Sequence, residues 1–131
     1  MTRIERLADE RGSAVVDFAL TSILLLLVFL AVFQLGLVLH VRNTLVSCAS
    51  EGARHGARAG SSPEQGAART RDLIDRSLSS RFSGGVAART DTTAEGVQVV
   101  VVDVAAPLPL IGPIGPGDAL DVRGRAFLED Q

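Results

Sequence analysis

The chain has 131 residues, 47% of them hydrophobic and 21% charged, with a formal net charge of -2. That length suits one small domain, and with two histidines and one cysteine, Cys48, it holds neither a disulfide framework nor a cysteine-based metal site. The charge is segregated: the balance is -1 over residues 1–41, +4 over 42–89 and -5 over 90–131, so that a basic middle faces an acidic tail, within one chain or between copies.

The first element is an apolar helix. Phe18–Leu39 is a run of 22 residues without a charge, whose only clearly polar side chains are Thr21, Ser22 and Gln34. A helix rises 1.5 Å per residue, so this run spans about 33 Å, enough to cross the hydrocarbon of a bilayer. Seventeen Leu, Ile, Val and Phe residues lie between Phe18 and Val41, each favouring insertion by roughly 0.3–0.6 kcal/mol. Removing the run leaves too little apolar side chain for a large soluble core. The arginines around it lean towards a cytoplasmic N-terminus.

Just ahead of the run stands Arg11-Gly12-Ser13-Ala14-Val15-Val16-Asp17-Phe18. A short polar leader ends in Gly12, and five residues later a lone carboxylate, Asp17, is followed directly by Phe18. A carboxylate at the edge of a span is costly if drawn inwards, so it calls for a partner or a function. A plainer account makes it a helix N-terminal charge favoured by the macrodipole. A second processing pattern lies downstream, where Leu45-Val46-Ser47-Cys48 has the look of a lipobox; Arg42 and Asn43 separate it from the apolar run. A cleaved secretory signal would need a shorter apolar stretch than this one.

The Gly12–Phe18 junction and the span resemble the N-terminus of type IV pilins, and most closely the TadE-like pseudopilins of tight-adherence (Flp) pilus systems. The resemblance implies cleavage by a prepilin peptidase between Gly12 and Ser13, which leaves Asp17 as the fifth residue of the processed chain. The family usually carries Glu there, so Asp17 is a departure, one methylene shorter. In a helical bundle Asp17 of one subunit would pair with the Ser13 amine of another, so that neither charge is buried alone.

Val41–Gly60 continues without a breaker and predicts a helical extension. Gly52, Gly56 and Gly60, at four-residue spacing beside Ala49, Ala53 and Ala57, form a small-residue stripe that lets another helix approach. The alternative is compositional bias in a fraying helix end. Glu51-Gly52-Ala53-Arg54 and Gly56-Ala57-Arg58 resemble the Ala/Arg-rich stretch that follows the span in TadE-like proteins.

Ser62, Pro63 and Gln65 form a capping box with proline in the first turn, predicting a helix to about Arg81. Ile74, Leu78 and Phe82 would share its buried face, Arg71–Asp75 and Asp72–Arg76 would pair along it, and Gly84-Gly85 would end it. Gly96–Ala106, rich in valine, predicts a strand. Residues 105–117 form a Pro/Gly loop that is unusually apolar, with Leu108, Leu110, Ile111 and Ile114. Residues 118–128 alternate Leu120, Val122, Gly124, Ala126 and Leu128 on one face, predicting a second strand antiparallel to the first.

No Ser/His/Asp, Cys/His, paired-carboxylate or phosphate-loop pattern appears, so no catalytic, cofactor-binding or metal residue is assigned and no small-molecule substrate is expected. The arginines of 42–89 lack interleaved aromatics, which argues against nucleic acid; Arg42 suits an anionic lipid headgroup instead. The expected fold is α+β: a leader over 1–12, a transmembrane helix over 13–41, its extension over 42–60, and a small extracytoplasmic domain over 61–131 with one helix and a two-stranded sheet. The expected role is a non-enzymatic, single-pass, minor pilin-like subunit in the cell membrane of a bacterium. Its partners would be prepilin peptidase, other pilin or pseudopilin subunits, pilus or secretion machinery and membrane lipid. An uncleaved signal-anchored protein or a lipoprotein-type extracytoplasmic binding protein is the alternative.

Overall fold

The computed structural model describes residues 3–109 and 119–129. Helix α1 runs Arg3–Ala57 and helix α2 runs Pro63–Ser77, followed by a short 3-10 turn, Ser80–Phe82. Three strands follow, β1 (Gly85–Thr92), β2 (Gln98–Pro107) and β3 (Ala119–Phe127). They form one antiparallel sheet in the order β1-β2-β3. The fold is therefore α+β with three strands, where the sequence predicted two. The missed strand is β1: it lacks large β-branched residues after Val86, and it is held by eight-residue pairing with β2 from Gly85↔Ala105 to Thr92↔Gln98 rather than by its own propensity. Gly84-Gly85 accordingly does not close α2; Gly85 opens β1.

The chain divides into two compact units, Met1–Gly36 and Leu37–Gln131. In the first, α1 exposes its apolar residues all round, with Val15, Phe18, Leu25 and Phe29 between 63% and 75% exposed. A helix apolar on every side has the length and composition of a membrane span. α1 is the one described helix long and apolar enough to span, and none of its most apolar window is buried. This is consistent with a single-pass membrane protein.

In the second unit the C-terminal part of α1 becomes one-sided. Val41, Leu45, Cys48, Ala49, Ala53 and Ala57 are buried, and Arg42, Asn43, Arg54 and Arg58 are exposed. The buried stripe meets Ala67, Thr70 and Ile74 of α2 and the inner sheet face, Val86, Val102, Val104, Ala106 and Val122. The three strands supply matched rows to this core, Val86↔Val104↔Val122 and Ala88↔Val102↔Gly124. β3 buries Val122 and Gly124 and leaves Asp121, Arg123 and Arg125 exposed, the alternation its sequence predicts.

α2 starts as predicted. Ser62 Oγ accepts from the Gln65 amide at 3.3 Å and Gln65 Oε1 accepts from the Ser62 amide at 3.2 Å, with Pro63 in the first turn. It ends four residues early, because Leu78 leaves the helical region at φ -128° and ψ -100°. Ile74 and Phe82 are still buried in one cluster, and Leu78 is partly buried against it. Asp72–Arg76 pairs at 3.0 Å, but Arg71 instead donates to the Val86 carbonyl at 2.9 Å and Asp75 accepts from Ser83 Oγ at 2.6 Å. Most of the predicted Pro/Gly loop, including Leu110, Ile111 and Ile114, lies outside the described residues.

β3 comes against the backbone of α1 at Gly124, where an added Cβ would lie 2.3 Å from the Ala49 carbonyl carbon. Gly124→Ala is therefore expected to destabilise the chain by about 1–3 kcal/mol, the range of core overpacking. At Gly84 an added Cβ meets nothing within 4 Å, so Gly84→Ala should be close to neutral. Denaturant melts of both variants in detergent check the contrast.

Candidate functional site

The predicted processing junction lies within α1. Gly12, Ser13, Asp17 and Phe18 are all helical and exposed, Phe18 at 75%. Ser13 and Asp17 are four residues apart, so they share one helix face a single turn apart. They border a shallow groove with Glu10, Gly12, Ala14, Val16 and Leu20. Between Arg11 and Arg42, Asp17 is the only charged residue, and it has no ion-pair partner among the described residues. α1 begins at Arg3, several turns before Asp17. The macrodipole acts within the first turn, so in the intact chain it does not account for this carboxylate.

The small-residue stripe divides in two. Gly52 and Gly56 face α2 of the same chain. A Cβ on Gly52 would lie 1.7 Å from Thr70 Oγ1, and one on Gly56 would lie 3.2 Å from the Gly66 Cα. The approaching helix is thus α2. Gly60 takes no part in the contact: it stands past the end of α1 with φ +78° and open space around it. The Ser61 amide donates to the Arg58 carbonyl at 3.0 Å, so Gly60 is the third residue of a tight turn, where positive φ favours glycine.

Cys48 is 6% exposed on the buried stripe, between Leu45 and Ala49. Burial pushes its thiol pKa up, against smaller opposing effects from a hydrogen bond with Ser77 and from its own backbone. A raised thiol pKa means less thiolate and lower reactivity.

Sequence reasoning missed two polar features on the sheet. On β2, Asp103 stands between Arg89 of β1 and Arg123 of β3, and bonds both guanidinium groups. Near the end of α1, Arg54, Ala57, Arg125, Ala126, Phe127 and Glu129 line a groove beside β3. Both depend on strand register and on contacts distant in sequence, which no local pattern signals. Among the described residues no group of three or more His, Cys, Asp or Glu could hold a metal.

Residues 12–54 match the model of a family described as TadE-like protein. The matched stretch, about a third of the chain, begins at Gly12 and covers the apolar run and the start of the buried stripe. No curated protein and no solved structure matches the chain.

Burial disfavours the Asp103 carboxylate, but the hydrogen bonds and charges of Arg123 and Arg89 outweigh it and hold its pKa below the ordinary aspartate value. A lowered folded-state pKa contributes stability above the unfolded value, near 3.9, and that contribution fades as the pH falls through the folded one. Asp103→Asn is expected to cost about 1 kcal/mol at pH 7, because the ion pairs are partly exposed. The difference from the unsubstituted chain should shrink steadily below about pH 4, as read by denaturation at a series of pH values.

Proposed function

We propose that this protein is a minor pilin-like, TadE-like subunit of a tight-adherence pilus or a related secretion assembly. The observation that carries the proposal is the coincidence at Gly12: the family match opens there, and five residues on stands the lone charge of the apolar helix. Prepilin peptidase would cut between Gly12 and Ser13, on the cytoplasmic side, and the second unit would lie outside the cytoplasm. The scissile bond is in helical backbone, which must open locally to enter a protease; glycine, at about 1 kcal/mol below alanine in helix propensity, makes this the easiest point to unwind.

Cleavage turns Ser13 into a cation one helical turn from Asp17. In a bundle of such helices the amine of one subunit and the Asp17 carboxylate of another satisfy each other, where either alone in hydrocarbon is expensive. The subunit then acts by packing its helix among other pilin subunits and lipid, with no chemistry of its own.

The burial pattern favours this route over the lipoprotein alternative. Processing at Cys48 would remove Val41 and Leu45, which are 3% and 0% exposed in the core. Each buried aliphatic side chain is worth about 1.5–3 kcal/mol. Among the described residues, processing at Gly12 removes no buried side chain. The uncleaved signal-anchored alternative keeps the whole helix and would show an intact leader.

Mass spectrometry of the chain co-expressed with a prepilin peptidase should give Ser13 as the new N-terminus. An intact Met1–Gly12 segment supports the signal-anchored alternative, and a lipid-modified Cys48 sinks the proposal. Asp17→Ala should leave membrane insertion unchanged and reduce incorporation into pili. Incorporation at the unsubstituted level removes Asp17 from the mechanism.

A further inference from the structure

On the described part of the sheet and its β1–β2 connection, two large apolar side chains remain exposed, Phe127 at 70% and Val97 at 44%. They belong to the same end of the domain. Phe127 pairs with Val99 across the β2–β3 ladder, and the Leu128 amide donates to the Gln98 carbonyl at 3.0 Å. Beside Phe127, Arg54 and Arg125 line the groove between α1 and β3. Neither guanidinium has an ion-pair or hydrogen-bond partner among the described residues. Two unpaired arginines around an exposed aromatic ring have the composition of a protein interface centre.

The complementary element is the β1–β2 hairpin of the same domain. Its tip is fixed by three bonds: the Thr93 amide to the Val97 carbonyl at 2.8 Å, the Gly96 amide to the Thr93 carbonyl at 2.9 Å, and the Val97 amide to Thr93 Oγ1 at 3.2 Å. This tip holds up Glu95, exposed and without a partner, two residues from exposed Val97. The groove also holds Glu129, whose carboxylate accepts from the Ala59 amide at 3.4 Å, so two arginines and one carboxylate leave it net positive. An ordered tip with one carboxylate and one apolar side chain matches that positive groove and its phenyl ring.

We infer that this end of the domain is a self-association surface, in which the β1–β2 hairpin of a second copy of this chain occupies the groove. Glu95 of one copy faces Arg54 and Arg125 of the other, and Val97 lies against Phe127. Groove and hairpin adjoin within one chain, so a two-fold rotation between them makes both contacts at once, the arrangement of an isologous dimer. The inference does not rest on the pilus proposal, and its test needs only the chain itself.

Two tagged forms of the full chain are reconstituted together in lipid bilayers, both carrying Cys48→Ala, one with Ala94→Cys at the hairpin tip and the other with Ala126→Cys in the groove. Oxidation should link the two forms. Glu95→Arg in both forms, or Arg125→Glu in both, should each lower the yield about tenfold, and the two reversals combined should return it to within about threefold. All of these charge positions are exposed, and circular dichroism confirms that the variants fold. No crosslink, or a yield indifferent to both single reversals, overturns the inference, since association then runs through the helices or not at all. So does a reversal pair that fails to restore the yield. A crosslink that appears only when other subunits are added assigns the groove to them and also overturns it.

Discussion

The second unit depends on how closely two elements approach the backbone of α1. At one contact Gly52 and Gly66 leave space for main chain on main chain, with Gly52 oxygen 2.7 Å from the position a Gly66 Cβ would take. At the other, Gly124 lets β3 meet Ala49 and Ser50. The large apolar residues of this sequence sit mostly in the span, so beside Leu45, Ile74 and Phe82 the core is built mainly from alanines and valines. Small side chains give little area each, and they compensate by bringing backbones together, where every atom gains dispersion contacts. Thr70 shows how tight the fit is: it is fully buried, and its hydroxyl is satisfied by the Gly66 carbonyl at 2.9 Å, inside α2 itself.

The sheet completes the core at low cost in side-chain volume. β2 is the central strand and carries valine at 99–102 and 104, so it buries apolar residues on both faces. On the inner face the helices cover them. On the outer face Val101 is 1% exposed, and the register places Arg89 and Arg125 on either side of it. Arginine stems can shelter apolar surface while the guanidinium stays in water. Asp103 ties Arg89 and Arg123 down across all three strands, so the charge cluster on this face also closes its apolar cover. Among the described residues no buried side-chain polar atom lacks a partner.

Elements with strong local signals were legible in the sequence. The capping box at Ser62 and Gln65, the valine run of β2 and the alternation of β3 each rest on chemistry within a few residues. β1 was not legible, because Gly85–Thr92 becomes a strand only through β2 beside it. The end of α2 was misjudged for a related reason: Leu78 and Phe82 fit a helical period, yet Phe82 reaches the same core from a 3-10 turn. The glycine stripe was readable as a packing surface, but its partner was not, since pattern alone does not distinguish a helix of another subunit from α2. Arg54 is about seventy positions from Arg125 and Phe127, and only β3 lying against α1 makes them neighbours.

The division of α1 between two units also bears on where Asp17 would sit. Leu37, near the end of the apolar run, is packed against the core of the second unit, and Val41 lies within it. At the other end of the run stands Asp17. If the apolar run spans a bilayer, moving residues beyond Val41 into hydrocarbon would bury Arg42, and moving the run the other way would draw the Asp17 carboxylate inwards. A run of about 33 Å nearly matches hydrocarbon about 30 Å thick. On the proposed function the helix would therefore have little freedom in depth, and Asp17 would be held near the cytoplasmic interface until a neighbouring Ser13 amine neutralised it. Pairing would release one of the two stops, so that a subunit could leave the membrane for an assembly only in company.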